Sequence, residues 1–102
     1  MKKVFISQPM NGLTDSQIFD KREEIIKELH EIYGSANILV MNTYINEDAP
    51  AESNPGLWYL GKSLQILAEA DLAVFAEGWK NARGCRIEHE CAKEYGISIV
   101  MD

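Results

Sequence analysis

Four short apolar runs alternate with three stretches in which apolar residues recur every three or four positions. No other feature constrains the fold of this chain as strongly. Lys3–Ser7, Asn37–Met41, Leu72–Ala76 and Ile97–Met101 read as strands. The stretches opening at Thr14, at Asn54-Pro55 and at Gly84 read as helices. Thr14 with Gln17 forms a capping box, and Ile18, Ile25, Ile26, Leu29, Ile32 and Tyr33 line the first helix up to Gly34. Asn54 followed by Pro55 marks the second start, with Leu57, Leu60, Leu64, Leu67 and Ala68 as its inner stripe. Gly96 stops the third helix after Tyr95. The all-apolar middle of Asn37–Met41 predicts a strand buried on both faces.

A β-α-β-α-β-α-β order predicts a parallel sheet between helix layers. Right-handed crossovers leave few topologies. The expected architecture is a small flavodoxin-like or Rossmann-like α/β three-layer sandwich. It has about four parallel strands in order 2-1-3-4, within a single domain spanning residues 1–102. Such sheets bind ligands beyond the carboxyl ends of their strands, at the switch point. The loops Ser7–Leu13, Asn42–Asn54 and Glu77–Arg83 should therefore meet there, with the starts of the helices. The second loop is long and acidic, as lids often are. Asp71 precedes the third strand, at the opposite pole, and reads as a turn residue.

A formal net charge of -6 disfavours binding a nucleic-acid polymer through its phosphates. No apolar run reaches the ~20 residues of a membrane span, and Val4-Phe5-Ile6 is too short for a signal-peptide core. A cytoplasmic protein with reduced thiols at Cys85 and Cys91 is expected. So small a core leaves much surface over, which makes a homo-oligomer, a dimer or larger, the expected state.

Three places at the predicted edge carry chemistry. Ser7, Gln8, Asn11 and Gly12 precede a helix start and suit a sugar hydroxyl or an anion, although a plain strand-to-helix turn explains them equally. They form neither a P-loop nor a GxGxxG fingerprint. In the third loop Trp79 suits stacking on a base, or covering the end of the sheet. Arg83 and Arg86 suit a phosphate, or pairing with nearby carboxylates. Glu88 shares a helical face with Gly84, Cys91 and Tyr95, where a carboxylate is expensive unless paired or used. The nearby helix start helps keep it ionised. A fixed carboxylate there can attack an anomeric carbon, and the bland alternative is a pair with Arg83, Arg86 or His89. Cys85 and His89 share a face, but a zinc site needs further ligands, so no metal is expected. No Ser–His–Asp set is present.

Ala70-Asp71-Leu72-Ala73-Val74-Phe75, then Gly84-Cys85-Arg86-Ile87-Glu88-His89-Glu90-Cys91-Ala92, resembles the nucleoside 2-deoxyribosyltransferase superfamily. Its Gly-Thr-x-x-Glu-x-Gly-x-Ala pattern carries a Glu nucleophile, which maps to Glu88. Val4-Phe5-Ile6-Ser7-Gln8-Pro9-Met10-Asn11-Gly12 is similar to that superfamily's first strand and substrate loop. The nearest likeness is to small bacterial and phage proteins of domain-of-unknown-function family 4406, through the Pro-Met-x-Gly start and the Gly-Trp…Ala-Arg-Gly-Cys-x-x-Glu-His run. Nearly the whole chain is covered.

The resemblance implies cleavage of the N-glycosidic bond of a 2′-deoxynucleoside or its 5′-monophosphate. The deoxyribosyl group passes from Glu88 to a second base or to water, with no metal or organic cofactor. Ser7, Gln8, Met10, Asn11, Gly12, Tyr44, Trp79, Asn81, Arg83 and Gly84 are the expected substrate contacts. Where the superfamily's enzymes carry an Asp eight residues before the Ala-Asp aspartate, this chain has Ser63, the expected second catalytic residue. Ala82 stands six residues before Glu88, where transferases have Asp and monophosphate hydrolases have Ser, and Glu90 replaces a glycine. A neighbouring subunit would complete the pocket wall. The alternatives are a nucleotide-binding module without chemistry and a structural oligomer with a vestigial cleft. The Ser63 and Ala82 differences favour the binding module.

Overall fold

The computed structural model describes residues 1–101. Strand β1 (Lys2–Ser7) leads into helix α1 (Asp15–Tyr33), then β2 (Ile38–Val40), α2 (Pro55–Leu67), β3 (Leu72–Phe75), a 3-10 turn (Trp79–Asn81), α3 (Arg83–Glu94) and β4 (Ser98–Met101). Local chemistry sets the boundaries. The Thr14 hydroxyl accepts from the Gln17 N–H, and the Gln17 side chain accepts from the Thr14 N–H, so α1 starts on a full capping box. The Asn54 side chain accepts from the Leu57 N–H, with Pro55 at the first turn of α2. Gly34 closes α1 at φ +84, where a side chain would be strained.

The four strands form one parallel sheet in the order β2-β1-β3-β4. Side chains alternate across it. Val4, Ile6, Ile38, Leu72 and Val74 meet Ile25 and Leu29 of α1 on one face. Phe5, Ala73 and Phe75 meet Leu67 of α2 and Ala92 of α3 on the other. The result is the expected α/β sandwich, with α1 on one side and α2 and α3 on the other. Asp71 lies at the amino end of the sheet, where its side chain accepts from the Lys3 N–H at 2.8 Å and so pins β1 to β3.

Three expectations fail where an apolar residue lies beyond the cover of its neighbours, one of them Ile32, which is 69% exposed and does not line the inner face of α1. β2 is an edge strand rather than a strand buried on both faces, and Leu39 is 51% exposed. Ile38 is covered by the α1 layer, but the core on the opposite face is built on β1, β3 and β4. Leu57 is 66% exposed and does not belong to the inner stripe of α2. It stands six residues before Ser63, about 9 Å further along the axis, beyond the end of the sheet. Ala68 is exposed as well, at the C-terminal cap. Phe75→Ala should therefore cost about 3–5 kcal/mol in urea unfolding, and Leu57→Ala should stay within about 0.5 kcal/mol. A large loss from Leu57→Ala would place that residue in an interface.

Candidate active site at the carboxyl edge of the sheet

β1 reaches the carboxyl edge at Ser7, and the two-residue period turns that side chain to the Phe5 face, beneath α2 and α3. α3 starts beside this edge, and Glu88 is its sixth residue, about 7.5 Å along the axis. That places Glu88 level with the last row of the sheet. α2 contributes Ser63, one turn before the buried Leu67. The Ser7 hydroxyl donates to Glu88 Oε1 at 2.7 Å, and the Ser63 hydroxyl donates to Oε2 at 2.5 Å. Ser7 is 2% exposed and Glu88 7%, while Ser63 is half-buried. The Oε2 side is thus the more open side of the carboxylate.

Among the described residues no cation pairs with Glu88. Arg86 donates to the Lys80 carbonyl at 3.0 Å, and the His89 ring stacks on Trp79. The Arg83 guanidinium reaches from the start of α3 to the start of α2, with Nη2 3.9 Å from where a Cβ on Gly56 would sit. Burial pushes the Glu88 carboxyl above its ordinary range, and the Ser63 and Ser7 hydrogen bonds pull it back. The serines, not the helix dipole, carry this role, because the dipole fades within the first turn. Two hydroxyls donating to both oxygens suit an ionised carboxylate. Such a group, held in one orientation, can add to an electrophilic carbon or take a proton.

The three loops gather at this edge in unequal ways. The first and third touch: Gly78 adopts φ +88, and Pro9 lies 3.6 Å from the position a Cβ would take there. Gln8 is buried, and its amide donates to the Ile18 carbonyl at 3.1 Å. Met10, Asn11 and Gly12 form an exposed turn, closed by the Leu13 N–H on the Met10 carbonyl, with Gly12 at φ +79. The second loop lies along α2, held by Glu47 on Lys62 at 3.3 Å and by the Ala49 N–H on the Tyr59 hydroxyl at 3.2 Å. Tyr44 projects from it, exposed.

The structure assigns Ser7 to Glu88 rather than to open solvent at the edge. It also places the Trp79 ring against the fold. That ring covers the sheet end, stacked on His89 at 4.0 Å and 13° and packed against Phe75. Asn81 is exposed at the end of the 3-10 turn, and Gly84 is half-buried near the start of α3. An open cleft of about 320 Å³ lies on the α1 side of the same edge, between Gln8–Leu13 and Ala76–Glu77. Glu88 lies on the other face and is not in its wall. Cys85, one turn before Glu88 on α3, is buried.

The family profile described as "Domain of unknown function (DUF4406)" matches residues 2–101. The chain belongs to that family. No curated protein matches the chain at a significant level. In this DUF4406 protein the profile runs through every element that builds the Glu88 site, from β1 to β4.

The raised Glu88 carboxyl has a consequence for stability. A carboxyl that binds its proton more tightly when folded destabilises the fold once ionised. The penalty appears as pH rises through the ordinary value of about 4.5 and is complete above the folded value. Glu88→Gln should therefore melt at a higher temperature than the parent at pH 7, and the gap should close below about pH 4.5. A variant less stable than the parent at pH 7 would show that the serine bonds outweigh the burial.

Proposed function

We propose that this protein cleaves the N-glycosidic bond of a deoxynucleoside or its 5′-monophosphate, with Glu88 as nucleophile. The observation that carries the reading is the buried carboxylate at the carboxyl edge, fixed by two hydroxyls and without a cation. A structural carboxylate of this kind is ordinarily ion-paired. The resemblance of Gly84–Ala92 to the deoxyribosyltransferase pattern supports the same assignment.

In the first step a Glu88 oxygen forms a bond to the anomeric carbon, and the carbon–nitrogen bond to the base breaks. The bond pair leaves with the base, which takes up a proton. In the second step a nitrogen of another base, or a water, attacks the same carbon, gives up its proton to solvent and releases the carboxylate. Oε2 is the attacking atom, since Oε1 faces the buried Ser7. Ser63 is placed to give its hydrogen bond to the carboxylate in the resting state. Arg83, exposed and without an ion pair among the described residues, favours a phosphorylated substrate. The exposed Met10–Gly12 turn and Tyr44 are the groups left free to meet it. A second copy of the chain would complete the wall of the pocket.

The runner-up reading is a nucleotide-binding module without turnover. Its support is the near-complete enclosure of Glu88, together with serine in place of a stronger proton donor at position 63.

The test is chromatography of base released from each deoxynucleoside and each deoxynucleoside 5′-monophosphate, with and without an acceptor base. Base release is expected, and Glu88→Ala should lower it by about three orders of magnitude or more while the fold is kept. Acceptor dependence separates transfer from hydrolysis. Turnover unchanged in Glu88→Ala removes Glu88 from the chemistry. No release from any substrate, with a nucleotide-dependent rise in melting temperature, moves the assignment to the binding module.

A further inference from the structure

α2 breaks the pattern of its neighbours. Seven of its 13 residues are Leu, Ile, Trp or Tyr, and Lys62 is its single charge. A helix so apolar all round is ordinarily buried, yet only Leu67 is fully so. Gly61 stands in its middle, where glycine costs a helix stability. A Cβ there would meet nothing within 4 Å among the described residues, so no contact inside the chain demands the glycine. Ser63 turns toward Glu88 of α3, and Gly61, two residues earlier, lies about 200° round the axis. It therefore faces away from α3. Since α3 joins β3 to β4, that flank looks toward β2, with Leu57 and the half-buried Leu64 on the same stripe. Side chains alternate along β2, so with Ile38 in the α1 layer Leu39 stands on the α2 face of the sheet, 51% exposed. These residues form an apolar face that the chain leaves uncovered.

We propose that two copies of the chain meet on this face, as a twofold pair packed across α2 and β2. Charge and area select a second copy as the occupant. The chain carries a net charge of -6, so two copies repel wherever acids face acids. α1 carries six acids and α3 three. Ile38–Met41 and Pro55–Leu67 carry none, and Lys62 is paired with Glu47 of its own chain. The chain exposes 6829 Å² of surface, roughly 1,000 Å² more than the ~5,800 Å² expected of a folded monomer of 11.5 kDa. A standard interface takes about 800 Å² from each partner. In a twofold pair the same patch serves both copies, and a glycine at its centre lets the backbones approach closely. Leu57, which overhangs the sheet, lies at the rim, where truncation costs little. The pairing does not depend on how Glu88 is used.

Sedimentation equilibrium of the full chain, between about 1 and about 100 μM, reads the pairing. The parent should move from 11.5 kDa toward twice that mass as concentration rises. Gly61→Glu puts an acid at the centre of the face, where the single chain has room for it, and should weaken pairing about tenfold or more. Its melting temperature at the lowest concentration should match or exceed the parent's, because glutamate favours a helix over glycine. Leu39→Glu tests the β2 side of the face in the same way, and replaces Gly61→Glu should that variant fail to fold. Ile32→Glu, at an exposed position of α1, is the control and should pair as the parent does.

A parent that stays at 11.5 kDa throughout overturns the proposal and leaves the face to a different partner. So does a pair that survives both Gly61→Glu and Leu39→Glu in folded protein, or one that splits on Ile32→Glu alone. Base release from a chain that stays single sinks the pairing and keeps the glycosidic reading. A pair that splits on Gly61→Glu but releases no base does the reverse.

Discussion

Glu88 is buried without a cation, and its charge rests on two serine hydroxyls from different elements. Hydrogen bonds tolerate only a few tenths of an ångström. That tolerance links the end of β1, the middle of α2 and the second turn of α3 in one arrangement. The apolar layer beneath them supplies the rigidity: Phe5 and Phe75 fill the sheet face, while Leu67 and Ala92 bring the two helices down onto it. Ser7 lies on the same face as Phe5, so the polar cluster is the last row of that core. The donors are held in place by the fold itself.

The same arrangement is costly to the fold. A carboxylate moved out of water is destabilising, and two neutral donors offset only part of that. An uncharged residue at position 88 would relax the conflict. A local rule broken at the carboxyl edge of a parallel sheet, where ligands bind in such folds, is what a working group looks like. The surrounding loops follow the same division. Trp79 and His89 close the end of the sheet, Lys62 and Tyr59 hold the acidic loop against α2, and the Met10–Gly12 turn stays exposed.

Much of this was legible in the chain. The capping box at Thr14, the Asn54-Pro55 start and the four apolar runs are local signals, and the order 2-1-3-4 follows from their alternation and from crossover handedness. Glu88 stood out because a charge interrupts an otherwise small and apolar helical face. Errors arose where local pattern met the edge of its neighbours. Leu39 and Leu57 carry the right periodicity, yet one sits on an edge strand and the other on a turn that overhangs the sheet. Periodicity reports which way a residue points along its own element and says nothing of whether another element covers it.

The family membership of residues 2–101 and the α/β class are therefore properties of the linear chain. So is the presence of a carboxylate near the strand ends. Its partners are not. Ser7 lies 81 positions from Glu88 and Ser63 lies 25 positions away, and neither spacing leaves a mark that can be read along the chain. Only the stacking of α2 and α3 on one face of the sheet decides that these hydroxyls, rather than Arg83, Arg86 or His89, meet the charge. Side-chain direction within a helix or strand is set by backbone geometry close at hand, whereas contact between elements is set by how whole faces bury against each other.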